Sequence, residues 1–234
     1  MTRIRVPAGQ VACDLHVHTL YSKDSLSSLR GLIDAVRRRG LSGLAITDHN
    51  NIEGALRLRD VAPFSVIVGE EIRTREGEII GLFLENLIPR DLSPEDTVAA
   101  IRQQGGLVYL PHPADGARRS PMRRDGVGRV IGSVDIIEVF NARVLLASYN
   151  RRARRLADEH GLPHGAGSDA HAPAEVGEAY VLMPECDMGD ARAFLEALRH
   201  SRAVGRMSGP LVHLSSTAAK VVKRLGLAGK LSLT

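Results

Sequence analysis

Short apolar runs alternate along the chain with segments of helical periodicity. The runs 44–46, 65–68, 107–110, 135–139 and 179–182 predict strands, because they are short, aliphatic and partly β-branched. Apolar residues at helical spacing predict helices over 26–39, 93–105, 145–160 and 190–200. Gly40 and Gly161 are typical of helix C-termini, whereas Ser93 followed by Pro94 is typical of a helix start. The pattern predicts repeated βα units and a largely parallel sheet.

The run Asp14-Leu15-His16-Val17-His18 reads as another strand, with two imidazoles two residues apart. Side chains alternate between the faces of a strand, so we expect Asp14, His16 and His18 on one face and Cys13, Leu15 and Val17 on the other. Two imidazoles and a carboxylate on one surface could hold a divalent metal. A His-x-His pair also occurs on half-buried strands without any metal, so the pair alone is weak evidence.

Recurrence of this pattern strengthens the metal interpretation. Acids and imidazoles follow other predicted strands, as Thr47-Asp48-His49, Gly69-Glu70-Glu71, Pro111-His112-Pro113 and Ser168-Asp169-Ala170-His171. In a barrel the C-terminal ends of all strands meet at one mouth, where such ligands could converge. An open doubly wound sheet would instead carry a glycine-rich phosphate loop, and neither common form of that motif is present in the sequence. The ligand distribution therefore favours a barrel.

Composition narrows the class of protein. The chain has 234 residues, a formal net charge of +4 and only 3% aromatic residues with no Trp, which disfavours the base-stacking platforms of single-strand nucleic-acid binders. Two cysteines cannot build a disulfide framework, and we find neither a secretory signal nor a membrane-length apolar run, so we expect a cytoplasmic protein. We interpret one group of arginines as a solvated helix face; they lie at 151, 152, 154 and 155. A second group could deliver a cation to a bound phosphate; its arginines lie at 118, 119, 123 and 124.

Five motifs carry the acids and imidazoles: Asp14-Leu15-His16-Val17-His18-Thr19, Ile46-Thr47-Asp48-His49, Gly69-Glu70-Glu71-Ile72, Pro111-His112-Pro113 and Gly167-Ser168-Asp169-Ala170-His171. Taken together, they resemble the successive motifs of the polymerase-and-histidinol-phosphatase (PHP) superfamily. The resemblance implies a distorted (β/α)7 barrel with up to three divalent metals at the C-terminal mouth of its strands. It also implies hydrolysis of phosphate esters. We expect one domain over 1–234, with a core of about 11–188 and a PHP-associated C-terminal segment of about 189–234.

The resemblance also implies a ligand set. The first metal would be held by His16, His18, Glu71 and Asp169. Glu71 would bridge to a second metal held by His112, and His49, His171 and Asp24 would hold the third. Glu71, Asp169 and His171 are the expected catalytic residues. Asp24 lies one place later than the acid of many relatives, because Lys23 occupies that position.

A second departure lies at Asn141, where histidinol-phosphatase-like members supply a histidine. Asn141 is therefore a weaker ligand of the second metal or no ligand, and two or three ions would bind. Imidazole and carboxylate without thiolate suit Zn²⁺, Mn²⁺ or Fe²⁺. Asp14 and Asp48 could orient the imidazoles, secure a strand end or bind metal directly. Arg143 is the candidate phosphate clamp, with a surface arginine as the alternative.

Three functions remain open on the sequence. The favoured one is a phosphomonoesterase that acts on a small phosphorylated metabolite or nucleotide through a metal-bridged hydroxide. The alternatives are a phosphodiesterase or exonuclease-like activity on nucleic acid or cyclic phosphodiesters, and a non-catalytic metal-binding scaffold. We interpret the remaining histidines as structural or exposed: His160, His164, His200 and His213.

Overall fold

A computed structural model describes residues 2–116, 122, 124–209 and 212–224. One sheet contains the strands β1 (Gln10–Val17), β2 (Gly43–His49), β3 (Ser65–Thr74), β4 (Gly77–Leu82), β5 (Leu107–Leu110), β6 (Ile136–Asn141), β7 (His164–Gly167), β8 (Ala179–Pro184) and β9 (Arg202–Gly205). The helices are α1 (Leu29–Arg39), α2 (Glu53–Val61), α3 (Pro94–Gln103), α4 (Arg124–Val130), α5 (Ala147–His160), α6 (Ala191–Arg199) and α7 (Val212–Arg224), with a 3₁₀ turn at Ile131–Ser133. Among the described helices, none is both long and apolar enough to cross a membrane.

The sheet has the strand order β7-β6-β5-β4-β3-β2-β1-β8-β9. Strand pairs β1–β2, β2–β3, β5–β6 and β6–β7 are parallel, whereas β4 is antiparallel to both of its neighbours. The sheet curls until the ends of β1 and β7 meet. There His18 N–H donates to the Ala170 carbonyl at 2.9 Å and Asp169 N–H donates to the His16 carbonyl at 2.8 Å. We call this junction the β1–β7 seam.

The predicted α/β barrel is confirmed as a nearly closed, barrel-shaped sheet, but the simple count of seven βα units does not describe it. Nine strands lie in the sheet of the described residues, and β4, β8 and β9 run antiparallel to their neighbours. Strand β3 continues through Glu71 to Thr74 and turns back directly into β4. Thr74 Oγ1 donates to the Gly77 carbonyl at 2.9 Å within that turn.

Two apolar clusters form the core. One contains helix residues such as Leu32, Leu58 and Ile101 together with strand residues, so it lies between the helices and the sheet. The other takes residues from eight strands and from α6, whose Phe194 is fully buried, and it fills the inside of the barrel. The strand ends that carry the acids and imidazoles therefore lie directly above a packed apolar interior.

Strand β1 departs from the simple alternation that the sequence predicted. Cys13 and Leu15 belong to the interior cluster, but Val17 belongs to the cluster under the helices. The pairing register of β1 with β2 shifts between Asp14 and Val17, as at a β-bulge. The expectation that Cys13, Leu15 and Val17 share one face was wrong, because the bulge changes which face the later side chains occupy.

Candidate metal centre

The end of β1 brings two histidines to two carboxylates. His16 Nε2 lies 3.4 Å from Glu71 Oε2 and 3.8 Å from Asp169 Oδ1. His18 Nε2 lies 3.5 Å and 3.3 Å from the same two oxygens. All four side chains are buried, and they form what we call the first cluster. The structure thus brings together the four residues expected to hold the first metal.

Glu71 joins this cluster to a second one. Its other oxygen, Oε1, lies 3.1 Å from His112 Nε2. Donor atoms of His16, His112 and Glu138 also lie within 4.8 Å of one another. Glu71 therefore contacts both clusters, with one carboxylate oxygen directed to each, and it would be shared by ions bound in the two.

A third cluster lies on the other side of His18. Asp24 Oδ2 is 3.4 Å from His49 Nε2, and Asp24 Oδ1 is 3.4 Å from His171 Nε2. The Ser22 hydroxyl donates to Asp24 Oδ1 at 2.8 Å and so fixes the carboxylate in the loop after β1. The one-residue shift of this acid in the sequence does not keep Asp24 away from the two imidazoles.

The separations fit a bound divalent ion. Donors that surround one ion at about 2.1 Å are about 3.0–3.4 Å apart in octahedral or tetrahedral geometry. The observed donor separations of 3.1–3.8 Å are close to these values. Neither ring nitrogen of the buried His18 has a hydrogen-bond partner among the described residues. A buried imidazole in that state is suited to coordinate a cation.

Two of the expected ligands occupy strained backbone positions. His112 has φ of 32° and Asp169 has φ of 55°, in the region that residues with a Cβ seldom adopt. His112 lies two residues after the end of β5, and Asp169 lies two residues after the end of β7, so both lie where the chain turns at the barrel mouth. Such strain is typical of sites where the surrounding structure fixes a side chain for binding or catalysis.

The histidines of the clusters differ strongly in pKa. Burial would lower the pKa of His49, but the carboxylates of Glu71 and Asp24 raise it to about 9. Burial and the neighbouring His171 lower the pKa of His18 to about 4. Despite its burial, Glu71 keeps a pKa well below its usual value because His49 and His16 surround it. In the metal-free protein, His49 therefore carries a proton at neutral pH, whereas His18 does not.

Glu138 lies among the residues of the clusters, although the sequence analysis did not single it out as a site residue. Its buried carboxylate accepts from His16 Nδ1 at 3.0 Å, from the His112 N–H at 2.8 Å and from Asn141 Nδ2 at 3.0 Å. The contact with His16 Nδ1 leaves Nε2 as the nitrogen that faces Glu71 and Asp169. The available signal in the sequence was a glutamate inside the otherwise aliphatic predicted strand 135–139.

Asn141 lies beside the second cluster and contacts Glu138. Its amide nitrogen donates to Glu138 and, at 3.2 Å, to Asp169 Oδ2. Its side-chain oxygen accepts from the Arg143 N–H at 2.9 Å. Asn141 therefore positions two carboxylates, and its oxygen is directed to the backbone of its own loop.

Asp14 and Asp48 secure strand ends. Asp14 accepts from the Ser168 N–H at 2.9 Å, from the Ser168 hydroxyl at 2.5 Å and from the Gly177 N–H at 2.8 Å. Asp48 accepts from the Thr19 N–H at 2.6 Å and from the Thr19 hydroxyl at 2.5 Å. Of the roles expected for these acids, the contacts favour the securing of a strand end over orientation of an imidazole or direct ligation.

Arg143, the expected phosphate clamp, is buried and already paired. Its guanidinium contacts Glu175 Oε2 at 2.6 Å and donates to the Val212 carbonyl at 2.9 Å and to Ser216 Oγ at 3.0 Å. The alternative of a surface arginine is wrong, because the side chain is only 3% exposed. Arg143 anchors the start of α7 beside the mouth, and a phosphate would have to displace Glu175 to reach it.

The remaining histidines and arginine groups are distributed as follows. His160 and His200 are exposed, and His164 contacts Asp158 at 2.8 Å on the surface. The side chain of His213 lies outside the described residues, as do residues 118, 119 and 123 and the side chain of Arg124. The arginines of α5 are exposed, which agrees with a solvated helix face; they are Arg151, Arg152, Arg154 and Arg155.

Comparison with known proteins identifies the family. Residues 14–111 match the model of the PHP domain, and residues 147–203 match that of the PHP-associated segment. An uncharacterized protein of Methanocaldococcus jannaschii is 40% identical over 143 residues, which cover 55% of this chain and 81% of that protein.

Two solved structures share the fold. One is a two-domain protein from Bacteroides vulgatus that contains a predicted PHP-like metal-dependent phosphoesterase. It has a TM-score of 0.72 and 19% identity, over 93% of this chain and 73% of that one. The other is PfuEndoQ, a lesion-specific endonuclease from Pyrococcus furiosus. It has a TM-score of 0.63 and 17% identity, over 86% of this chain and 60% of that one. Residues 14–111 and 147–203 contain all the residues of the first and third clusters, and the chain belongs to the PHP family.

Proposed function

We propose that this protein is a metal-dependent phosphomonoesterase that acts on a small phosphorylated metabolite or nucleotide. Two or three ions of Zn²⁺, Mn²⁺ or Fe²⁺ would be held by the three clusters. The observation that carries the proposal is the overlap of these clusters. Glu71 faces His16 and His18 with one oxygen and His112 with the other, inside a buried site at the barrel mouth.

Bound there, divalent ions would lower the pKa of water and neutralise charge on phosphoryl oxygens. The residues of the chain prepare the site for this chemistry. His171 Nδ1 contacts the Asp169 carbonyl at 2.8 Å, so that Nε2 is directed to Asp24. Glu138 fixes His16 in the same manner, with Nε2 directed to the first cluster. We propose Glu71, Asp169 and His171 as the catalytic residues, because they lie where the clusters meet.

A second candidate is cleavage of phosphodiesters in nucleic acid. Two observations favour it: the endonuclease PfuEndoQ has the same fold, and the net charge of this chain is +4. The low aromatic content favours the monoesterase, because few rings are available on which bases could stack.

To test the proposal, Mn²⁺-loaded protein is incubated with sugar phosphates, nucleoside monophosphates, a generic aryl phosphodiester and a short oligonucleotide. Metal content is measured on the same samples. Asp169→Asn is the variant expected to be inactive, because it removes the carboxylate charge. It should still fold, because asparagine keeps the shape of aspartate and tolerates the positive φ. Asp60→Asn, at an exposed acid of α2, is the matched control.

We expect phosphate release from a monoester by the wild type and by Asp60→Asn, and a loss of at least about a hundredfold in Asp169→Asn. Cleavage of the diester or oligonucleotide alone would replace the monoesterase by the second candidate. Bound metal without turnover of any substrate would favour a non-catalytic metal-binding scaffold.

A further inference from the structure

Helix α7 is fastened to the rim of the barrel mouth at both of its ends. At its start, the Val212 carbonyl and Ser216 Oγ accept from Arg143, which follows β6. Near its end, the Lys223 ammonium donates to the Leu20 carbonyl at 2.5 Å and to the Ser22 carbonyl, both in the loop after β1. Because a helix rises about 1.5 Å per residue, α7 spans about 17 Å between these attachments.

The part of the rim between the attachments contains the third cluster. The loop after β7 supplies His171, and the loop after β1 supplies Asp24. Lys220 of α7 places its ammonium 3.4 Å from Asp24 Oδ2, the same oxygen that faces His49. Helix α7 thus adds a cation to the edge of the third cluster, and this cation is not part of the strand-end motifs.

Lys220 differs from Lys223 in what surrounds it. Lys223 is half-buried and donates to two backbone carbonyls, as an anchor does. The Lys220 side chain is 55% exposed and has a carboxylate contact at the edge of the site. A long, half-exposed ammonium can follow an anion that arrives at the mouth, whereas a buried anchor cannot.

We propose that Lys220 is a substrate-binding residue that holds the phosphate of a phosphomonoester over the third cluster, with α7 as its support. This inference rests on the proposed function and deepens it. A cation bound by Asp24, His49 and His171 would compete with Lys220 for the Asp24 carboxylate. The ammonium would then pair with the anionic phosphate of the substrate.

The position of α7 also favours a terminal phosphate. The helix crosses the rim from the end of β6 to the loop after β1, so this side of the mouth is covered. A polymer that continued past its phosphate in this direction would meet the helix. The phosphate of a monoester ends at that point and needs no exit on the covered side.

The test measures binding of inorganic phosphate to Mn²⁺-saturated protein by titration calorimetry, beside KM for the best monoester. The variants are Lys220→Gln, which removes the charge, and Lys220→Arg, which keeps it. Arg192→Gln, at an exposed position of α6, is the control for a change of net charge. Thermal unfolding midpoints and metal content confirm that each variant is folded and loaded.

We expect Lys220→Gln to raise the Kd for phosphate about three- to tenfold, because a charge-assisted contact at a half-exposed site is lost. KM should rise with it, Lys220→Arg should recover most of the binding, and Arg192→Gln should match the wild type. Unchanged phosphate affinity in Lys220→Gln, or no phosphate binding by the wild type, would overturn the assignment.

The two proposals fail in different ways. If Lys220→Gln weakens phosphate binding but the wild type hydrolyses no ester, the binding role stands and the phosphomonoesterase is refuted. If the wild type hydrolyses a monoester and Lys220→Gln leaves both Kd and KM unchanged, the phosphomonoesterase stands and the binding role is refuted.

Discussion

Single buried carboxylates hold the candidate metal centre in shape, and each accepts from a different group of donors. Glu138 accepts from a ligand imidazole, whereas Asp14 accepts from the backbone at the far side of the β1–β7 seam. Both are fully buried. Removal of either one would leave several buried donors without an acceptor, which is more costly than loss of the hydrogen bonds alone.

Asp14→Ala should destabilise the protein by about 2–4 kcal/mol, because the Ser168 and Gly177 donors would stay buried without an acceptor. Urea unfolding monitored by circular dichroism measures the change in the free energy of unfolding. The control is Asp60→Ala, at an exposed acid of α2. A loss below about 0.5 kcal/mol, as at an ordinary surface position, would show that Asp14 does not hold the seam.

Glu138→Gln should weaken metal binding by about 10–100-fold, as is typical when the partner of a ligand imidazole is changed. The glutamine amide would present a donor to the His112 N–H or to Asn141 Nδ2, which are themselves donors. Titration calorimetry with Mn²⁺ measures the affinity, and Glu196→Gln on the surface of α6 is the control. Equal affinities for the two variants would exclude a role of Glu138 at the metal.

At this scale, the other residues that form the clusters were singled out in the sequence, whereas Glu138, which contacts two of them, was not. His16, His18, His49 and His112 all lie in the clusters, because strand ends of a barrel converge at one mouth. The residues adjacent to Arg143 in the sequence do not show that its guanidinium is already paired. Its partners lie 32 to 73 residues away in the chain, and only the tertiary fold brings them together.

At the scale of elements, close approach of β7 to β1 sets the position of the first cluster. A Cβ added at Gly167 would overlap with the Cβ of His16 and lie 2.9 Å from Glu138 Oε1. Only a residue without a side chain allows β7 to lie so near the ligand strand. The glycine therefore fixes the spacing between His16 and the strand end that supplies Asp169.

Gly167→Ala should move β7 away from β1 and destabilise the protein by about 1–3 kcal/mol or more, as overpacking does. Metal affinity should fall as well, since ligands of one cluster lie on both sides of the overlap. The matched control is Gly132→Ala, where an added Cβ meets nothing within 4 Å. Thermal unfolding with and without Mn²⁺ compares the two variants, and equal midpoints would contradict the packing argument.

Local signals predicted some elements and missed others. Helix α3 begins at Pro94 with Ser93 accepting from the Asp96 N–H, and α1 and α5 end at the left-handed Gly40 and Gly161, as expected. These signals depend only on adjacent residues. Strand β4 was not predicted, although it pairs with β3 across a short turn, and the bulge of β1 was not predicted because it depends on pairing with β2.

At the scale of the whole molecule, the three clusters place several histidines and carboxylates in one buried volume, so binding of metal and binding of protons compete. The carboxylates of Glu71 and Asp24 raise the pKa of His49 to about 9, so this imidazole is protonated below that pH. A metal ligand must be the neutral imidazole. His18, with a pKa of about 4, already meets that condition at neutral pH.

Metal affinity should therefore rise between pH 6.5 and 8.5, by about tenfold per pH unit for each proton released. The sign follows from the raised pKa of His49: as the pH approaches about 9, less of the imidazole is protonated and less work is needed to remove the proton. Calorimetry of Mn²⁺ binding in two buffers of different ionisation enthalpy counts the protons. His49→Gln should reduce the pH slope, whereas His200→Gln, at an exposed position, should not.

The β1–β7 seam determines when the first cluster can form during synthesis of the chain. Its two backbone hydrogen bonds join residues 152 and 153 positions apart in the chain, and the first cluster takes His16 from one side of the seam and Asp169 from the other. During synthesis, β1 leaves the ribosome long before β7, and domains fold as units. A nascent chain with only its first strands exposed has no complete first cluster. The cell's metal ions should therefore load a closed barrel and cannot assemble this cluster on a half-made chain.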